Sequence, residues 1–165
     1  MEIHSAESFV PYWQGIRGRT RRVVEVIPPE RLEWSPGSGR WTPGDTIRHL
    51  AGIERDMYAE NVRGRPTRYR GHGRELADGT AEVLAYLDGK HAEAVEIFRS
   101  LTPEQLGAKC QTPAGTPITA WKWLRAMVEH ESHHRGQLYL MMGLLSVATP
   151  PIFGLTEEQV LERSR

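Results

Sequence analysis

The chain has 165 residues, of which 39% are hydrophobic and 25% charged, and this composition predicts one soluble folded domain spanning residues 1–165. Basic and acidic residues number 21 each, which argues against nucleic acid as the main partner, because phosphate binding requires a basic surface. No apolar run of about 18 residues could span a membrane, and the N-terminus resembles no secretory signal. The single cysteine allows no intrachain disulfide. We therefore expect a cytoplasmic protein that does not bind membranes.

The first half of the chain contains two segments with the apolar spacing of amphipathic helices. The first covers residues 9–27 and should end at Pro28-Pro29, because proline removes a backbone donor and restricts the residue before it. The second begins at Thr42, which is a good N-cap, and Asp45 completes a spacing similar to a capping box. This second helix should end near Gly64.

The second half contains two further amphipathic segments, over residues 80–101 and 119–147, and a short tail helix starting at Thr156. No stretch has convincing strand alternation. Four helices of about twenty residues or more predict an all-α fold, a four-helix bundle with a short C-terminal helix. The links between them are long enough to allow crossover connections, so spacing alone does not fix their order. The arginine- and glycine-rich link over residues 63–74 is expected to be a solvated flexible loop; the alternative is an anion-binding rim over an active site.

Three of the seven histidines fall within five residues of the fourth helix, in the run His130-Glu131-Ser132-His133-His134. Residues four apart lie on one helical face, with Cβ atoms about 6 Å apart, so His130 and His134 can reach a single metal ion. His133 is adjacent to His134, and adjacent residues differ by about 100° around a helix. We place His134 inward, because it continues the apolar stripe, and we exclude His133.

A third ligand is expected from His49, which faces the core if the phase of the second helix is right. Taken alone, His49 is more often a hydrogen-bonded core histidine, and His91 on the third helix is expected to be a core or cavity residue. Glu54 and Glu131 could orient ligand imidazoles, although a solvated or ion-paired surface position is the more common one for each. Gln137 could hydrogen-bond near the site, and the lone Cys110 is expected to be incidental.

The run from His130 to His134 also fits the H-E-x-x-H pattern of zinc proteases. In that interpretation Glu131 is the general base, and Glu157 or Glu158 supplies the third ligand. A five-residue match occurs often by chance, and no strand pattern predicts the substrate-binding sheet of a protease. We consider this alternative the least favoured.

Two stretches resemble the DinB-like family of helical-bundle metalloproteins. The first is Trp41-Thr42-Pro43-Gly44-Asp45-Thr46-Ile47-Arg48-His49-Leu50, and the second is His130-Glu131-Ser132-His133-His134-Arg135-Gly136-Gln137. The resemblance implies an up-down-down-up bundle in which His49, His130 and His134, but not His133, bind zinc or nickel. It also implies a homodimer. Some relatives, such as bacillithiol transferases and mycothiol-dependent maleylpyruvate isomerase, act on low-molecular-weight thiols.

Three functions are therefore open. The first is a metal-dependent transferase or isomerase acting on a small-molecule substrate. The resemblance implies a low-molecular-weight thiol, whose thiolate a metal ion would stabilise, and the same metal could equally acidify a bound water. The second is a non-catalytic stress-response protein that binds metal and a small ligand. The third is a metallohydrolase. Three imidazoles suit zinc, nickel, iron and copper alike, so the pattern does not fix the metal.

Overall fold

The computed structural model describes residues 2–164, and four long helices dominate it, which confirms the predicted all-α bundle. Seven α-helices occur in the described chain: α1 (Ala6–Glu25), α2 (Pro43–Ile53), α3 (Ala59–Asn61), α4 (Thr80–Arg99), α5 (Pro103–Gly107), α6 (Ala120–Leu144) and α7 (Glu157–Arg163). A π-helical turn, Glu54–Tyr58, joins α2 to α3, so these three pieces form one rod. Single 3₁₀ turns lie at Pro29–Arg31 and Arg74–Leu76. None of these helices is long and apolar enough to cross a bilayer.

The helix that carries His49 begins where the sequence predicted. Thr42 accepts a hydrogen bond from the backbone of Asp45 at 2.9 Å, and the Asp45 side chain accepts one from the backbone of Thr42 at 3.0 Å. Pro43 occupies the first helical position, where its missing donor costs nothing. A capping box also starts α7 at Thr156, as predicted.

Contacts at two positions along each helix pair fix the relative directions of the bundle helices. Helix α1 runs antiparallel to α2 and to α4, α2 runs antiparallel to α6, and α2 runs parallel to α4. Helices α1 and α2 are related by Trp13–Glu54 and Arg17–Leu50, and helices α1 and α4 by Phe9–Phe98 and Arg21–Asp88. The rod that contains α2 is related to α6 by His49–His134 and Asn61–Trp123. The same rod is related to α4 by Gly52–Tyr86 and Asp56–Lys90. The order is therefore up-down-down-up, as the family resemblance implied.

The bundle buries two apolar clusters, one toward each end. The first includes Trp13, Phe98 and Leu124, and the second includes Leu87 and Leu138. Burying each such side chain stabilises the fold by about 1.5–3 kcal/mol. Buried polar side chains lie where the two clusters meet. Arg17, Glu131 and His134 fall between the clusters along α1 and α6, and His49 and Glu54 lie on the rod that contributes to both clusters. The apolar ends thus hold a polar middle layer in which chemistry can be placed.

A short hairpin corrects the expectation of no strands. Strand β1 (Lys109–Gln111) pairs antiparallel with β2 (Pro117–Thr119), with Cys110 opposite Ile118. Three residues per strand are too few for a recognisable alternation. Cys110 is buried, and burial raises the pKa of its thiol, which agrees with the expectation that this cysteine is not a nucleophile.

Candidate metal centre

Three imidazole rings from α2 and α6 meet in the polar layer, and we call them the histidine triad: His49, His130 and His134. The Nε2 atom of His130 lies 3.1 Å from Nε2 of His49 and 3.1 Å from Nε2 of His134. All three candidate ligand atoms lie within 4.8 Å of one another. Nitrogens bound tetrahedrally to one ion at about 2.0–2.1 Å would be about 3.3 Å apart. The spacing therefore fits a shared metal ion.

Hydrogen bonds on the outer edge of two rings set up their Nε2 atoms as donors to a metal. Nδ1 of His134 lies 2.7 Å from Oε1 of Gln137, and because that oxygen only accepts, Nδ1 carries the proton. Nδ1 of His49 lies 2.6 Å from the hydroxyl of Tyr69. When Nδ1–H donates to that oxygen, the Nε2 lone pair of His49 is left facing the other two rings. Such outer partners fix the tautomer and orientation of metal ligands.

The electrostatics of the triad favour neutral rings. Burial, reinforced by the charges of the neighbouring imidazoles, lowers the pKa of His49 to about 3 and that of His130 to about 4. Burial also lowers the pKa of His134, although its hydrogen bond with Gln137 opposes this shift. Near neutral pH the three rings are therefore neutral, and a divalent cation would bind the three converging Nε2 atoms in their unprotonated form. The donor set of three imidazoles suits zinc, nickel, iron and copper alike.

Aromatic rings wall the triad on one side. The ring of Trp41 stacks on His134, with centroids 5.6 Å apart and planes 10° apart, and lies 4.1 Å from the ring of His72. The Trp41 centroid is 4.8 Å from that of His49. Tyr69 and His72 could not be predicted as site residues from the sequence, because both lie in the arginine- and glycine-rich link, where no helical periodicity indicates which way a side chain points.

That link, residues 63–74, is largely exposed as expected, but its backbone is tied to the bundle. The buried guanidinium of Arg48 donates to the carbonyl of His72 at 2.7 Å. The amide of Arg68 donates to the carbonyl of Asp56 at 2.7 Å. Arg48 itself is held by Glu33 at 2.8 Å. The link is therefore an anchored cover over the triad rather than a loose loop.

Glu54 lies in the core, which corrects the expectation of a surface position. Its carboxylate accepts hydrogen bonds from Nε1 of Trp13 at 2.5 Å, from Arg17, and from His91, whose Nδ1 lies 2.8 Å away. His91 is therefore a partner of Glu54 and not a metal ligand. Glu54 contacts none of the triad rings through hydrogen bonds, so it does not orient a ligand imidazole.

Glu131 is also buried, again contrary to the surface expectation, and it faces α1. One carboxylate oxygen lies 3.3 Å from Nη1 of Arg17. Burial raises the pKa of Glu131 despite the opposing charge of Arg17. Because Glu131 pairs with Arg17, and because Glu157 and Glu158 are exposed on α7, the geometry of an H-E-x-x-H protease is not formed.

His133 lies outside the triad, as expected from its phase, and its Nε2 lies 3.1 Å from Nε2 of Gln137. Gln137 therefore touches both histidines, accepting from His134 through its oxygen and donating to His133 through its nitrogen. The predicted position of Gln137 near the site is confirmed. Within residues 2–164, no other set of three histidine, cysteine or carboxylate side chains comes as close together.

An up-down-down-up helical bundle with three convergent histidines defines a class of candidate metalloproteins, and the sequence comparison agrees with that class. The sequence model of the DinB superfamily matches residues 12–138. The chain therefore belongs to the DinB superfamily. No curated protein sequence matches it.

Solved structures from two bacilli share the fold. A DinB-like protein from Bacillus cereus ATCC 10987 is 18% identical, with a TM-score of 0.74 over 90% of this chain and 97% of that chain. YjoA, a DinB-like protein from Bacillus subtilis, is 18% identical, with a TM-score of 0.71 over 88% of this chain and 96% of that one. YfiT from Bacillus subtilis is 18% identical, with a TM-score of 0.69 over 87% of this chain and 89% of that chain. YfiT is described as a probable metal-dependent hydrolase with an unusual four-helix bundle topology.

Proposed function

We propose that this protein is a metal-dependent enzyme that transfers a low-molecular-weight thiol to an electrophilic substrate. His49, His130 and His134 would hold one zinc or nickel ion. The observation that carries the proposal is the make-up of the triad: three neutral imidazoles, joined by no carboxylate among residues 2–164. Three neutral ligands leave the full charge of a divalent ion at the open positions, where an anion is stabilised.

Three histidine ligands also lower the pKa of a metal-bound water to about 7, so the triad alone serves either nucleophile. A thiol is favoured because Glu131 is paired with Arg17 and is not free to act as a general base toward water. A thiol has an ordinary pKa of about 8.5, so a nearby positive charge alone brings its thiolate to neutral pH. Metalloproteases with the H-E-x-x-H pattern also use a glutamate as general base. Here the corresponding residue, Glu131, is paired with Arg17. The bound metal would supply the charge that stabilises the thiolate.

The protein's own residues then orient and shield the reacting groups. Tyr69 and Gln137 hold the outer nitrogens of His49 and His134, so that the inner nitrogens stay unprotonated. Trp41 and His72 cover one side of the triad. In the transfer, the thiol proton passes to solvent and the sulfur forms a bond to the electrophilic carbon. The leaving group departs with its electron pair.

Hydrolysis at the same centre is the second candidate. The structural likeness to YfiT, a probable metal-dependent hydrolase, supports it. Hydrolysis requires water to be activated without help from Glu131, since that side chain faces Arg17. The two candidates differ in the nucleophile, and so they can be separated by assay.

The test measures metal content and turnover on the same preparations. Purified protein, stripped with chelator and reloaded with zinc or nickel, is assayed with cysteine, glutathione or bacillithiol against 1-chloro-2,4-dinitrobenzene. We expect metal-dependent transfer with at least one thiol, none after His130→Ala, and retention after the matched change His133→Ala. Metal-dependent cleavage of p-nitrophenyl acetate without thiol transfer would favour hydrolysis. One equivalent of tightly bound metal with neither activity would favour a non-catalytic binding protein.

A further inference from the structure

A cleft of about 490 Å³ opens beside His134 and leads away from the triad. Small-molecule sites in proteins have volumes of about 300–1,000 Å³, so the cleft is large enough for a substrate. Metal binding by the triad does not use it. The side chains that matter for its chemistry are Arg40, Trp41, His134, Gln137, Leu140 and Leu144.

The floor of the cleft is apolar and open to solvent. Leu140 is 65% exposed and Leu144 is 61% exposed, and their spacing of four residues places them on one face of α6. Gln137 precedes Leu140 by one turn, and Trp41 stands opposite as an aromatic wall. A single exposed leucine is common on any protein surface. Leu140 and Leu144, however, lie on the same face of α6 as His134 and Gln137, and together they form an apolar surface to which an apolar group can bind.

The charge that lines the cleft is positive. Arg40 is the only aspartate, glutamate, lysine or arginine side chain in its lining, and no carboxylate in residues 2–164 lies within 4.0 Å of its guanidinium. An arginine in this position can form two parallel hydrogen bonds with a carboxylate or phosphate. No acidic residue in the lining opposes an anion.

We propose that this cleft holds the part of the substrate that does not react, and that this part is an apolar chain or ring bearing an anionic group. The apolar portion lies along Leu140 and Leu144 against Trp41, and the anionic group pairs with Arg40. That the molecule bound in this cleft is a substrate rests on the proposed function. The binding site itself can be tested without turnover.

The test compares a carboxylic acid with its neutral amide. 4-Phenylbutyrate and 4-phenylbutanamide are titrated by calorimetry into metal-free and zinc-loaded protein. Because Arg40 is exposed, solvent screens its pairing with a carboxylate, and the acid should bind about two- to fivefold more tightly than the amide in both forms. Arg40→Gln should remove this preference. Leu140→Ser and Leu144→Ser should weaken both ligands equally.

Matched controls lie outside the cleft. Arg31→Gln replaces an exposed arginine, and Leu161→Ser replaces a leucine that is 56% exposed on α7; both should leave the two affinities unchanged. Wild-type protein that binds neither ligand would overturn the proposal. A preference for the acid that requires zinc and survives Arg40→Gln would overturn it too, because the carboxylate would then be on the metal.

The oligomeric state provides the last check. If Leu140→Ser or Leu144→Ser converts a dimer to a monomer in light scattering, these leucines form a subunit interface and the cleft assignment is wrong. Acid-selective binding with no thiol transfer would instead contradict the thiol reaction while leaving the anionic site in place. The two proposals therefore fail in different ways.

Discussion

Replacing Glu54 by glutamine should destabilise the fold by about 3 kcal/mol and leave the metal affinity unchanged. Glu54 is buried and accepts from Trp13, Arg17 and His91. The amide removes the negative charge that faces the buried Arg17. It also presents donor hydrogens to a site in which all three neighbours already donate.

The size of the effect follows from the burial of the pair. Removing one partner of a buried ion pair costs about 3–5 kcal/mol, because the other charge stays buried without compensation. Glu131 remains 3.3 Å from Arg17, which places the expected loss at the lower end. For a domain of this length each kcal/mol shifts the melting temperature by about 2–4 °C, so we expect a decrease of about 6–12 °C.

The loss should depend on pH with a definite sign. Burial alone would raise the pKa of Glu54, but the charge of Arg17 and the hydrogen bond with His91 together lower it below its usual value. A carboxyl group whose pKa is lowered by folding stabilises the fold above its unfolded pKa, about 4.5, and loses that contribution as the pH falls through its folded pKa. The difference between wild type and Glu54→Gln should be full at pH 7 and shrink below about pH 4.5.

Urea unfolding of the metal-free protein, followed by circular dichroism at several pH values, measures the difference. Glu96→Gln is the matched control, because Glu96 pairs with Arg99 at the surface and its side chain is 72% exposed; an exposed pair contributes about 0–1 kcal/mol. A Glu54→Gln protein within about 0.5 kcal/mol of wild type at pH 7 would refute the reasoning. A loss that does not change with pH would show that packing, and not charge, causes it.

Four further predictions concern the triad and the helices around it. Tyr69→Phe removes the partner of His49 and should weaken zinc binding about 10- to 100-fold in competition with a chelating dye; unchanged affinity would contradict the orienting role. His130→Ala should abolish uptake of one zinc equivalent in native mass spectrometry while His133→Ala preserves it, and equal loss would contradict the ligand assignment. Gly18→Ala, which meets no atom within 4 Å, should stabilise α1 by about 0.5–1 kcal/mol. Gly52→Ala would bring a Cβ within 3.1 Å of the Tyr69 ring, and it should lower both stability and zinc affinity in the same urea and dye titrations.

Local sequence determined which helices form and which faces they bury. Thr42 and Asp45 are adjacent in the chain to the helix they cap, so their pattern predicted its start to the residue. His130 and His134 share a face because of their spacing alone. The same periodicity placed His49 inward, and the structure brings its Nε2 to 3.1 Å from that of His130.

Contacts between residues distant in sequence were not predictable in this way. Glu54 and Arg17 are 37 residues apart, and a lone glutamate in a helix usually indicates a solvated face, so nothing local indicates a buried pair. Tyr69 reaches His49 from a link without periodicity. Its position depends on how the link lies over the finished bundle, which is a tertiary property.

The link over residues 63–74 is fastened at two neighbouring positions of α2: the His72 carbonyl accepts from Arg48, and the Tyr69 hydroxyl contacts His49. Opening the link therefore releases the outer partner of a candidate metal ligand. By thermodynamic reciprocity, an ion that favours the oriented His49 also favours the closed link, by the same free energy. Trypsin cleavage at the exposed Arg63 or Arg70 would then slow as the metal binds. The rate of trypsin cleavage in this exposed link would therefore measure whether the triad has bound a metal ion.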